Sequence, residues 1–182
     1  GKKVGTARGG AQELVLLAEL DKYHLTYSEK GDKDVQVVYM AYADLNQALL
    51  SRNVDAISQS EPQSSQAISK GFGVEIVKPY DTPLGEPVRT LIMTEKMYNT
   101  QKDVAERFLK CFVEATRYFI EHPDVAEKYT REKMFKNQLS SEDYRQAMEN
   151  APLTYDLKLL QVQVSTDLMF KYGIAKMTKP PA

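Results

Sequence analysis

One cysteine, Cys111, stands among 182 residues, which excludes an internal disulfide framework and any zinc site built from cysteine pairs. An excess of one charge is missing as well: 24 Lys and Arg against 25 Asp and Glu leave a formal net charge of −1. No electrostatic footprint for nucleic acid or an anionic membrane surface is therefore expected. No apolar run approaches the ~18–20 residues needed to cross a bilayer. The two histidines, His24 and His122, lie far apart with no Ser, Cys or Asp at a spacing that would make either a general base. The dinucleotide pattern G-x-G-x-x-G and the phosphate-loop Gly-Lys-Ser/Thr are absent too. No catalytic residue, metal ligand or cofactor is expected.

What the chain does contain is a rhythm of short β-rich runs, polar turns and helical stripes. Residues 4–7 form an apolar strand, Arg8-Gly9-Gly10 turns the chain, and Leu14, Leu17, Ala18 and Leu20 repeat at helical spacing over 12–23. A polar loop at 28–33 precedes a second strand at 35–40, whose continuous apolarity suits a parallel sheet covered on both faces. A helix over 43–52, a short strand ending at Ala56-Ile57, a helix over 63–72 and a fourth strand at 74–77 follow. Repeated β-α units with short connections predict an α/β fold with a parallel, Rossmann-like sheet.

The turn-rich stretch 79–87 breaks the rhythm, and residues 89–94 read as one more strand. Beyond it the pattern is helical. Val104, Phe108, Cys111, Phe112, Ala115 and Phe119 share one face of a long helix that stops before Pro123, with Cys111 packed there as a small hydrophobe. Shorter helices are expected over 124–134, after Ser140 and over 157–172.

In an open parallel sheet, ligands sit beyond the carboxyl ends of the strands, where helix N-termini present free amides. Three stretches fall there. Arg8, Gly9, Gly10, Ala11 and Gln12 join the first strand to a helix, and suit an anionic or polar group. Tyr39 and Tyr42 flank the end of the second strand, as pocket wall or as packing residues, and Asp44 either touches a ligand or caps the adjacent helix. Ser60, Glu61 and Pro62 begin the third helix; Glu61 suits a ligand bearing N–H donors, or simply stabilises the helix start.

The segments GKKVGTA, DVQVVYM, ADLNQALLSRNVDA and SEPQSSQAISKGFG, followed by a long helix ending in Glu121-His122-Pro123, resemble the solute-binding proteins of bacterial ABC importers. The likeness is to the nitrate/sulfonate/taurine and thiamine-pyrimidine-precursor group, with the type II periplasmic-binding fold. That resemblance implies two α/β lobes around a cleft, with residues 1–82 as the second lobe, 83–102 as hinge and crossover strand, and 103–182 as the helical part of the first lobe. It implies that the chain, opening on Gly1-Lys2-Lys3, begins inside a longer protein and leaves an apolar face exposed. It further implies ligand contacts at the three stretches above, a small polar or anionic organic ligand, an ABC permease as partner, and a periplasmic or cell-surface location. A full-length protein would be monomeric, whereas the shortened chain would associate. The alternative is an enzyme or ligand sensor on the same fold, but the related pyrimidine-precursor synthases carry a cysteine-rich run that a lone Cys111 does not supply.

Overall fold

The computed structural model describes residues 1–85, 91–156 and 158–174. The chain divides into two compact units, one formed by Gly1–Val88 with Lys158–Ala182, the other by Arg89–Leu157.

In the first unit β1 (Lys2–Thr6) leads through the glycine turn into α1 (Ala11–Lys22). A two-residue strand β2 (Tyr27–Ser28) precedes β3 (Val35–Tyr39), then α2 (Tyr42–Leu50), β4 (Ala56–Ile57) and α3 (Gln63–Ser69) follow. The strands form one parallel sheet in the order β2-β3-β1-β4, with Thr6 opposite Tyr39 and Gly5 opposite Ile57. Because β1 lies between β3 and β4, the chain crosses from one side of β1 to the other, which is a topological switch point.

Burial follows the apolar periodicity. Leu14, Leu17 and Ala18 of α1, Val35 and Val37 of β3, and Leu45 and Ala48 of α2 are buried. Gly5 allows α2 to settle on β1, since a Cβ there would lie 3.2 Å from Leu45 Cδ2. α3 closes on Gly71, whose φ of +75° is the left-handed conformation glycine tolerates.

Three sequence expectations fail in this unit. Residues 74–77 form no strand, and Val74 and Ile76 are 84% and 81% exposed. Among the described residues the sheet ends at β4 and the run joins no strand, so β-branched side chains alone do not make one. The polar loop expected over 28–33 starts inside β2, whose Tyr27 and Ser28 pair with Val35 and Gln36. The boundaries 1–82, 83–102 and 103–182 are also drawn differently, because α8 (Leu159–Lys171) returns to the α/β unit. There Lys171 Nζ lies 2.6 Å from Asp21 Oδ2 on α1, and the Tyr172 hydroxyl donates to the same oxygen at 3.2 Å.

The second unit is helical: α4 (Glu95–Thr100), α5 (Lys102–Glu121), α6 (Pro123–Tyr129) and α7 (Ser141–Asn150). The helix expected over 124–134 changes after Tyr129 into a wider π turn over Thr130–Met134. Ser140 caps α7 by accepting the Asp143 amide at 3.0 Å. Its small core gathers Ala105, Ala126, Leu139, Tyr144 and Ala147. Cys111 is exposed rather than packed, together with Phe108 and Phe112, because α5 turns only Ala105 into that core. Of the strand expected over 89–94, residues 89–90 lie outside the described residues, and 91–94 carry no strand hydrogen bonds.

Candidate functional site

Parallel strands ending in register bring the loops that follow them to one edge. The loops after β1, β3 and β4 are also tied together. The Tyr42 hydroxyl donates to Gln12 Oε1 at 2.8 Å, Ser58 Oγ to the Gln12 carbonyl at 2.8 Å, and Gln59 Nε2 to the Tyr42 carbonyl at 3.2 Å. The expected stretches 8–12, 39–44 and 60–62 therefore share the carboxyl edge of the sheet at the switch point.

The first loop is shaped by its glycines. Gly9 has φ +79°, a left-handed turn. Gly10 instead leaves room for the Tyr42 hydroxyl, which a Cβ would approach to 2.5 Å. Gly10 is also the N-cap of α1, so the amides of the first turn, unpaired within the helix, open towards this edge together with the positive end of the helix dipole.

Two carboxylates that the sequence did not single out organise the charges. Glu13 is 6% exposed and accepts both the Gly9 amide and the Tyr39 hydroxyl. Its position, three residues after the N-cap, is that of a capping-box acid, the one signal that could have found it. Burial pushes the Tyr39 phenol far up, and the hydrogen bond to Glu13 adds to the shift. Arg8 lays its guanidinium over the Tyr39 ring, 3.6 Å from the centroid, and reaches Glu29 Oε1 with Nη2 at 2.8 Å. That hydrogen bond to Glu29 raises the Arg8 pKa further. Arg8 is thus an exposed cation placed over an aromatic ring and paired with one internal anion.

The other candidates divide. Ser60 is half-buried and takes its place in the β4–α3 loop, its amide donating to Gln59 Oε1 at 2.9 Å. Glu61 turns inward to α3: Oε2 accepts the Ser65 amide at 3.1 Å and the Ser65 hydroxyl at 2.7 Å, with Ser65 fully buried. Pro62 is the N-cap of α3 rather than its first helical residue. Asp44 is exposed in the first turn of α2, where Ala41 is the N-cap and no side chain caps the helix, so the capping role expected of Asp44 is not taken up. Ala11 is exposed and begins α1.

Beside the first loop lies a hollow of about 150 Å³, lined by Gly9, Gly10, Ala11, Leu14, Leu84, Ser165 and Met169. Part of its wall comes from α8. A larger groove of about 490 Å³ lies at the amino edge, among Leu49, Arg52, Val54 and Phe72. Its lining comes from the carboxyl ends of α2 and α3 and the chain entering β4, at the edge opposite the joined loops. Among the described residues no group of three or more His, Cys, Asp or Glu is placed to hold a metal, and no helix is long and apolar enough to cross a membrane.

A parallel sheet with joined loops and a helix N-terminus at its switch point defines an open α/β protein of the ligand-binding kind. The chain belongs to the NMT1-like family, whose model matches residues 1–132. This is a family of nitrate/sulfonate/taurine-type binding proteins, and the mixed α/β architecture is consistent with its periplasmic-binding-protein-like fold. Membership suggests a solute-binding role. No curated protein and no solved structure matches the chain.

Proposed function

We propose that this protein is the solute-binding component of an ABC-type importer, capturing a small polar or anionic organic molecule and delivering it to a membrane permease. The observation that carries the proposal is the carboxyl edge of the sheet. Arg8 lies over the Tyr39 ring beside the N-terminus of α1, and a small, partly apolar hollow opens at the same loop. A cation that can grip an acid group, first-turn amides, and room for a few carbon atoms suit an organic anion better than an extended polymer. No step of bond making is needed; binding shifts the population of conformers towards the one the permease accepts. A periplasmic or cell-surface location belongs to this proposal.

Native mass spectrometry of the protein purified from its host tests it, with a retained small organic acid as the expected result. Protein that emerges empty, and that shows no saturable heat on titration with taurine, nitrate or short organic acids, overturns it.

A further inference from the structure

Arg8 is the one arginine of the candidate stretches, and it is already engaged, its Nη2 2.8 Å from Glu29 Oε1. Glu29 is no chance visitor. The Gln36 side chain on β3 donates to the Glu29 carbonyl at 3.0 Å, Ser28 Oγ donates to Asp32, and Thr26 donates its amide to Asp34 at 2.8 Å. The loop over 29–34 is therefore tied to Gln36 of β3, to Ser28 of β2 and to Thr26 just before β2, and it holds a carboxylate against the guanidinium. Glu13 has taken the Gly9 amide, the one just before the N-cap of α1. Both carboxylates engage donors of the first loop. They differ in depth: Glu13 is buried, whereas Glu29 is 62% exposed and free to swing away.

We propose that Glu29 is a specificity-determining residue, an internal stand-in for the ligand's acid group that must leave Arg8 before an anion binds there. The inference rests on the solute-binding function proposed above. An anion with two oxygens to offer Arg8 displaces Glu29 more readily than a single-oxygen or neutral ligand, so the latch filters weak ligands. An exposed ion pair of this kind holds off a competitor by about twofold to fivefold.

The test compares wild type, Glu29→Gln and Arg8→Ala by calorimetric titration with sodium methanesulfonate, ionic strength being held constant with sodium chloride. NMR of the Arg8 Nε–H signal accompanies it. Glu29→Gln is expected to bind methanesulfonate about twofold to fivefold more tightly than wild type, and Arg8→Ala more weakly than either. The Arg8 signal of ligand-free protein is expected to move in Glu29→Gln, a readout that needs no ligand. Equal affinity in wild type and Glu29→Gln overturns the inference, as does an unmoved Arg8 signal or failure of methanesulfonate to bind both proteins. None of these results bears on whether the host protein carries a retained solute, so the two proposals fail separately.

Discussion

Tyr39→Phe asks whether the buried Glu13 carboxylate locks the turn between β1 and α1. The substitution keeps the ring beneath the Arg8 guanidinium and removes only the hydroxyl that donates to Glu13 at 2.5 Å. Glu13 is 6% exposed, so water does not readily replace the missing donor, and only the Gly9 amide remains of the two bonds described. A hydrogen bond to a charged group contributes about 1.5–3 kcal/mol, and stranding a buried acceptor lies towards the upper end. The expected loss is therefore about 2 kcal/mol at neutral pH. Urea unfolding reads it as a midpoint lowered by about 1 M with an unchanged slope. A double-mutant cycle with Glu13→Gln isolates the pair, and its coupling energy is expected to exceed about 1 kcal/mol. A loss below about 0.5 kcal/mol, or coupling of that size, refutes the role given to Glu13. The same bond predicts an alkaline signature. The Tyr39 pKa is raised, first by burial and then by Glu13, so the folded state holds this proton more tightly than the unfolded chain. Its contribution is complete below the unfolded tyrosine value of about 10 and is lost as pH rises towards the folded value. Wild type should lose stability above about pH 10 more steeply than Tyr39→Phe does.

Gly10→Ala should cost about 0.5–1.5 kcal/mol in urea unfolding, because the new methyl displaces the 45%-exposed Tyr42 side chain and its bond to Gln12, with no left-handed backbone to strain. A loss beyond about 3 kcal/mol would mean that Tyr42 cannot swing aside. Ser140→Ala should remove about 1 kcal/mol by deleting the cap of α7, while Ser140→Asp restores most of it; equal loss in both variants contradicts the capping role. Asp21, Asp32, Asp34 and Asp55 are all held below their ordinary 3.8, chiefly by Lys171, Ser28, Thr26 and the Lys3 amide in turn. Their contribution is complete above the unfolded value and is lost as pH falls through the depressed folded values. An acid titration of stability should therefore bend downward below about pH 4, and Asp55→Asn should flatten that bend.

Elements that local pattern determines were legible from residues alone. The β1–α1, β3–α2 and β4–α3 units follow from β-branched runs, turn residues and helical stripes, and their boundaries in the structure differ from the sequence expectation by few residues. Convergence of the three loops needed only one further step, since strands that run parallel must all end at the same edge. What local pattern could not supply was partnership. The run 74–77 has strand composition but no strand beside it, and α5 has an amphipathic stripe that its own unit leaves uncovered. Glu29 looks in sequence like a solvated acid and Glu13 like a capping acid at most, yet Glu13 meets a tyrosine 26 residues away and Glu29 meets the one arginine of the candidate site. Turn residues are chosen by the backbone beside them, whereas a carboxylate's role depends on which distant donor the fold brings to it. The charges at this edge are accordingly set by two acids, one buried and one exposed, through partners outside their own segments. Removing the Glu13 carboxylate should therefore loosen the Gly9 turn that it holds through the amide, whereas Glu29→Gln should leave that turn as it is and release only Arg8.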